Sequence, residues 1–112
     1  MITDIIFAQY KPAPGETRDL YTVPAGTSAK GTIWIAAEVG LDWVSVQLIP
    51  ATIFGESVSQ PTDGRDYILY NCYLSGNVPI YLQEIYLNEG DTIRIYSERG
   101  DSSFTYNGEH YT

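Results

Sequence analysis

The sequence predicts an all-β fold, an antiparallel β-sandwich of jelly-roll type with about eight strands. Three observations predict it. Short apolar runs alternate with period two, Gly, Pro, Asn and Asp punctuate them every ~8 to 15 residues, and helical periodicity is nearly absent. Ten tyrosines in 112 residues point the same way, because Tyr fills pleated, half-buried surfaces and keeps its hydroxyl wet. A chain of this length fits one domain with one core.

Taken in order, Asp4 to Tyr10 and Asp19 to Val23 read as strands of less regular alternation, joined through Lys11-Pro12-Ala13-Pro14-Gly15, a stiff extended connector. Residues 1–17 therefore form an N-terminal arm or edge strand, and residues 18–112 the sandwich. The two prolines give an arm suited to reaching across a neighbouring subunit. Gly31 to Val39 is the next strand, with Trp34 between Ile33 and Ile35 expected in the core. From Trp43 to Ile49, Val44, Val46 and Leu48 alternate with Ser45 and Gln47, so Trp43 lies on the face opposite the valines. There it can stack on a carbohydrate or be covered by another subunit. Pro50 to Gly64 is a long loop that carries Ile53 and Phe54. Asp66 to Leu74, Pro79 to Leu87, Thr92 to Tyr96 and Ser103 to Tyr106 complete the strands. Ser75-Gly76-Asn77, Asn88-Glu89-Gly90-Asp91, Arg99-Gly100-Asp101 and Asn107-Gly108 read as turns, since each offers residues that tolerate positive φ.

Charge narrows the partners. A net charge of −8 repels a phosphate backbone and an anionic membrane alike, so neither nucleic acid nor lipid is an expected partner. No basic leader opens the sequence and no apolar run approaches the ~18 residues of a membrane span, which fits folding in a cytoplasm. Cys72, the single cysteine, sits in a strand-like context without nearby Lys or Arg and reads as an inert buried hydrophobe.

Chemistry finds little support. His110 is the lone histidine and is expected to be a solvated tail residue, which leaves a nucleophile without a base. Asp63-Gly64-Arg65-Asp66 lacks the longer pattern of a calcium loop and reads as a turn. Glu38 with Asp42, and Glu84 with Glu89, are acids close in sequence, expected on a solvated face rather than as a glycosidase pair. Arg99-Gly100-Asp101 matches an integrin-recognition tripeptide, but Gly and Asp are wanted there by the turn itself. No enzymatic function, cofactor or metal site is expected.

Three segments carry a resemblance. Leu20-Tyr21-Thr22-Val23-Pro24-Ala25-Gly26 leads into a strand, Asp66-Tyr67-Ile68-Leu69-Tyr70-Asn71 lies mid-chain, and Leu87-Asn88-Glu89-Gly90-Asp91-Thr92-Ile93-Arg94-Ile95 follows downstream. In this order, across roughly residues 18 to 106, the chain resembles small structural proteins of tailed bacteriophage virions. The resemblance implies a β-sandwich that serves in a virion as a head decoration or cement, neck, tail or fibre-associated component, assembled in the host cytoplasm. The expected partners are major capsid or tail subunits and further copies of the chain, a trimer being one candidate size. Tyr10, Ile53 and Phe54 are the candidate anchors for such contacts. A lectin-like module that stacks sugar on Trp43 is the alternative from another functional class.

Overall fold

The computed structural model describes residues 3–38, 41–53, 56–57, 67–75 and 79–111, of which 3–5, 52–53, 56–57 and 67 are described by backbone alone. Among the described residues ten strands follow in order: β1 (Thr3–Tyr10), β2 (Glu16–Thr22), β3 (Ser28–Ala37), β4 (Leu41–Ile49), β5 (Thr52–Ile53), β6 (Glu56–Ser57), β7 (Tyr67–Ser75), β8 (Ile80–Leu87), β9 (Thr92–Ser97) and β10 (Ser102–Tyr111). Eight of them make two four-stranded sheets, β1-β10-β3-β8 (sheet A) and β2-β9-β4-β7 (sheet B), while β5 and β6 form a small hairpin within the long 50–64 connection. All pairings are antiparallel. Only the step from β4 to β7 stays within one sheet; each other step between successive sheet strands crosses to the opposite layer. First and last strands pair, and the chain folds back on itself as two Greek keys, which is the jelly-roll order.

Alternation builds the layer between the sheets. Ile33 and Ile35 from β3, Val44 and Val46 from β4, Ile93 and Ile95 from β9, and Phe104 and Tyr106 from β10 are all fully or almost fully buried. These four strands are the two central strands of each sheet, so their inward residues meet face to face. Tyr106 can sit there because its hydroxyl donates to the Ile85 carbonyl at 3.0 Å, and burial raises its pKa well above the ordinary value. Phe7 and Tyr21 close the core at the β1–β2 edge, their rings 4.9 and 5.9 Å from that of Tyr106.

Every edge strand carries a bulge. The register slips by one residue at Phe7 in β1, at Leu20 in β2, at Tyr70-Asn71 and again at Ile68 in β7, and at Gln83-Glu84 in β8. Bulges bend an exposed edge and spoil it as a template for another strand. In β7 and β8 they also bring Asn71 and Glu84 to φ of 47° and 57°.

Both ends of the sandwich are stitched by turns. At one end Val23 N donates to Asp91 O at 3.0 Å, Gly90 N to Val23 O at 2.9 Å, and Gly26 N to a Glu89 carboxylate oxygen at 2.7 Å. The Val-Pro-Ala-Gly and Glu-Gly-Asp segments, far apart in sequence, are thus one hydrogen-bonded unit. At the other end Pro12 is buried and Pro14 packs on Gly100, whose φ of +71° admits no side chain cheaply.

Three expectations need correction, and a fourth is narrowed. Asn107-Gly108 is not a turn: β10 runs through it to Tyr111, because Gly108 faces Gly31 on β3 and the two strands close in there. His110 is consequently a half-buried strand residue, in register with Thr3 and Ala29, rather than a free tail. Trp34 is outside the core, since its neighbours Ile33 and Ile35 take both inward positions. Of the two readings given for residues 1–17, arm or edge strand, β1 fits the second as an edge of sheet A, and in the connector Pro12 is buried while Lys11, Ala13, Pro14 and Gly15 are exposed. Ser75 ends β7, but Gly76-Asn77 and Asp63-Gly64-Arg65-Asp66 lie outside the described residues.

A Cβ on Gly31 would collide with the Asn107 backbone, and one on Gly108 with the Lys30 backbone. Gly31→Ala and Gly108→Ala are each expected to lower unfolding free energy by about 2 kcal/mol or more. Gly26→Ala, at a positive φ but in open space, is expected to cost only about 1 kcal/mol. Urea denaturation of the three variants checks the order.

Candidate functional site

With the core residues fixed, the remaining side chains of each sheet point outward, and on sheet A they form an aromatic and polar face. Trp34, Tyr81 and Tyr86 are 45%, 48% and 65% exposed, and Ile6 on β1 is exposed as well. Trp34 and Tyr81 are cross-strand partners whose rings meet edge-on, centroids 4.4 Å apart at 76°. Lys30 pairs with Tyr86 and holds its ammonium 5.5 Å from that ring. Between these aromatic positions Thr32 faces Asn107 on β10 and the Gln83-Glu84 bulge on β8. A shallow groove runs there, floored in part by the side-chain-free backbone of Gly31 and Gly108.

Sheet B offers a second, smaller aromatic face. Trp43 is half-buried, its ring 5.2 Å from Tyr73 and covered on another side by the Arg99 guanidinium at 5.3 Å. Tyr73 on β7 is exposed beside it, while Ile68, also exposed, lies at the other end of β7 near Leu48 and Tyr86.

Tyr10 lies half-buried at the end of β1, where its hydroxyl donates to Glu16 at 3.1 Å and accepts from Arg18 at 2.9 Å while that guanidinium covers the ring. It is already held by its own chain. Ile53 belongs to the β5–β6 hairpin by backbone, while its side chain and all of Phe54 lie outside the described residues. Trp43 is the one proposed ligand-stacking residue, and it points outward as its parity predicts. Of the exposed pair Trp34 and Tyr81, the first is expected from sequence in the core and the second is given no role. The signal for Trp34 is its place between two isoleucines: period two puts both in the core only if the tryptophan is out.

Of the acids, Asp42, Glu89 and Asp91 hold turns and Glu38 makes an ion pair. Asp42, fully buried, accepts through Oδ1 from Trp43 N at 2.8 Å and Arg99 N at 2.9 Å, and through Oδ2 from Ser97 Oγ at 2.5 Å, Ser102 Oγ at 2.6 Å and Asp101 N at 3.3 Å. One carboxylate thereby joins β4, the end of β9, the start of β10 and the turn between them. Burial pushes the Asp42 pKa up, but the donors from Ser102, Ser97, Arg99 and Trp43 outweigh it, and the net value lies below the ordinary one. Glu38 pairs with Lys11 at the surface, and Glu89 caps the Gly26 turn. Asp91 accepts from Asn88 N and Ala51 N at 2.8 and 3.0 Å. Among the described residues no three or more His, Cys, Asp and Glu gather in a way that could hold a metal ion.

No family model matches the chain, and no curated protein matches it in sequence. Among solved structures it is similar to a chain in the structure of infectious bursal disease virus, Gx strain, with a TM-score of 0.53 and 12% identity. The match covers 98% of this chain and 31% of that one, so this chain spans about a third of its neighbour's length. At that identity the likeness is one of fold.

Asp42→Asn places an amide donor against hydroxyl and backbone donors, and is expected to cost about 3 kcal/mol at pH 7. The folded pKa lies below the unfolded value of ~3.9, so the stabilisation is complete above that pH and is lost as pH falls through the folded value. Denaturation curves at pH 7 and in steps toward pH 2 should show the gap between parent and variant closing only on the acid side.

Proposed function

We propose that this chain is a virion structural protein, most specifically a bacteriophage capsid decoration or cement subunit, that works through protein contacts and performs no catalysis. The observation that carries the reading is the eight-strand jelly-roll order, aligned over 98% of the chain with a chain from a virus structure. Jelly rolls recur in viral capsid domains because two curved sheets tile and stack without exposing long free edges. The motifs that resemble tailed-phage proteins support the phage placing. They are the two turn segments that bond to each other at one end of the sandwich, together with β7.

Contact through faces suits the molecule better than contact through edges. All four edge strands are bulged, whereas the sheet B face at the β4–β7 pairing offers Trp43 and Tyr73 as an aromatic patch with the Arg99 guanidinium over the indole. Aromatic anchors with a nearby Arg are the composition of binding hot spots. The net charge of −8 favours a position outside a nucleic-acid-filled interior and keeps unassembled copies soluble.

An antibody raised against the purified chain, applied to particles of the virus that encodes it, tests the reading. Labelling in many copies over the head is expected. Labelling of a few copies at the neck or tail moves the protein to those sites, and particles free of the chain overturn the virion role.

A further inference from the structure

The groove on the outer face of sheet A is not needed for the contacts proposed above, and its chemistry differs from theirs. Along β3 the outward side chains run Lys30, Thr32, Trp34, each step spanning roughly 6.7 Å, so the aromatic positions at Tyr86 and Trp34 stand roughly 13 Å apart. Between them lie Thr32, Asn107, Gln83 and Glu84, a hydroxyl, two amides and a carboxylate that together donate and accept hydrogen bonds. The groove is open and shallow, with room for about 380 Å³ above its floor.

We infer that this groove binds a neutral oligosaccharide, laid across the Thr32–Asn107 pair with its sugar rings against Trp34 and Tyr86. Three features select that ligand. Trp34 and Tyr86 flank the groove rather than line it, with Tyr81 edge-on to the indole and Lys30 over the phenol, and their exposed surface suits the C–H faces of pyranoses while the polar side chains between match a row of ring hydroxyls. Lys30 stands against Glu84 and Glu109 in the groove, leaving it negative overall, which disfavours phosphate, sulfate and carboxylate ligands. Pressing a protein surface onto it would desolvate two carboxylates and two amides that a polyol can satisfy.

Glu84 adds an independent argument. The bulge in β8, unlike those at Phe7 and Leu20, takes one residue to positive φ, a conformation glycine adopts at least cost. Here the chain holds a glutamate at φ 57°, and its carboxylate borders the groove. Strained non-glycine residues of this kind gather where a side chain is wanted at a binding surface.

The test is a titration of the full isotopically labelled chain with a panel of neutral oligosaccharides of glucose, galactose, mannose and N-acetylglucosamine, followed by amide NMR shifts. At least one member is expected to shift the amides of residues 30–34, 81–86 and 105–109. Trp34→Ala should weaken binding tenfold or more, Trp34→Phe should retain most of it, and Trp43→Ala should leave it unchanged. Asn107→Ala, which removes one amide from the groove without touching the aliphatic core, should also weaken binding by about tenfold or less. A flat response across the panel, shifts centred on Trp43 and Tyr73, or unchanged affinity in both Trp34→Ala and Asn107→Ala overturns the inference. Placement on the particle is decided separately by the antibody experiment, so either idea can fail alone.

Discussion

The constraint on which the rest depends is parity. Eight side chains, paired as Ile33/Ile35, Val44/Val46, Ile93/Ile95 and Phe104/Tyr106, are sealed between the sheets at alternate positions of the four central strands. A slip of one residue in any of them would exchange its core face for its solvent face. With burial worth about 1.5–3 kcal/mol for each large apolar side chain, such a slip is strongly disfavoured. What lies on the outside is therefore chosen by what must lie inside, and Trp34, Thr32 and Lys30 face solvent for that reason.

Closure of the sandwich relies on polar groups whose donors are all engaged. The Asp42 carboxylate at one end and the Glu89 and Asp91 carboxylates at the other bind backbone N–H groups that turns leave without sheet partners. No buried side-chain nitrogen or oxygen among the described residues lacks a partner. These ends hold six crossings between layers in place, while the bulged edges discourage strand addition. The molecule is thereby a block that offers its faces, which is what both the proposed particle contact and the proposed sugar groove use.

Much of the fold was legible because alternation survives in the sequence even where pairing is irregular. The bulges were legible too, had the phase been followed: in β8 the inward residues Ile80 and Leu82 give way to Ile85 and Leu87, an even-to-odd change that places an extra residue at Gln83-Glu84. Other features were hidden for physical reasons. Ile33-Trp34-Ile35 reads as an unbroken apolar run, which is also how a strand buried on both faces looks. Asn107-Gly108 has the composition of a hairpin turn, but here Gly108 serves the close approach of β10 to β3. Asp42 drew notice only as a neighbour of Glu38, because its partners Ser97 and Ser102 are brought to it by the long-range pairing of β4 with β9.

Parity can be measured without a ligand or a particle. In a Trp43→Phe variant Trp34 is the only tryptophan, and its fluorescence reports which way β3 faces. Emission near that of an exposed indole, readily quenched by neutral acrylamide and shifted to the blue only on loss of solvent contact, is the expected result. Blue-shifted emission protected from acrylamide in the free, folded chain would mean that Trp34 occupies the core, and the outward face described for sheet A would not exist.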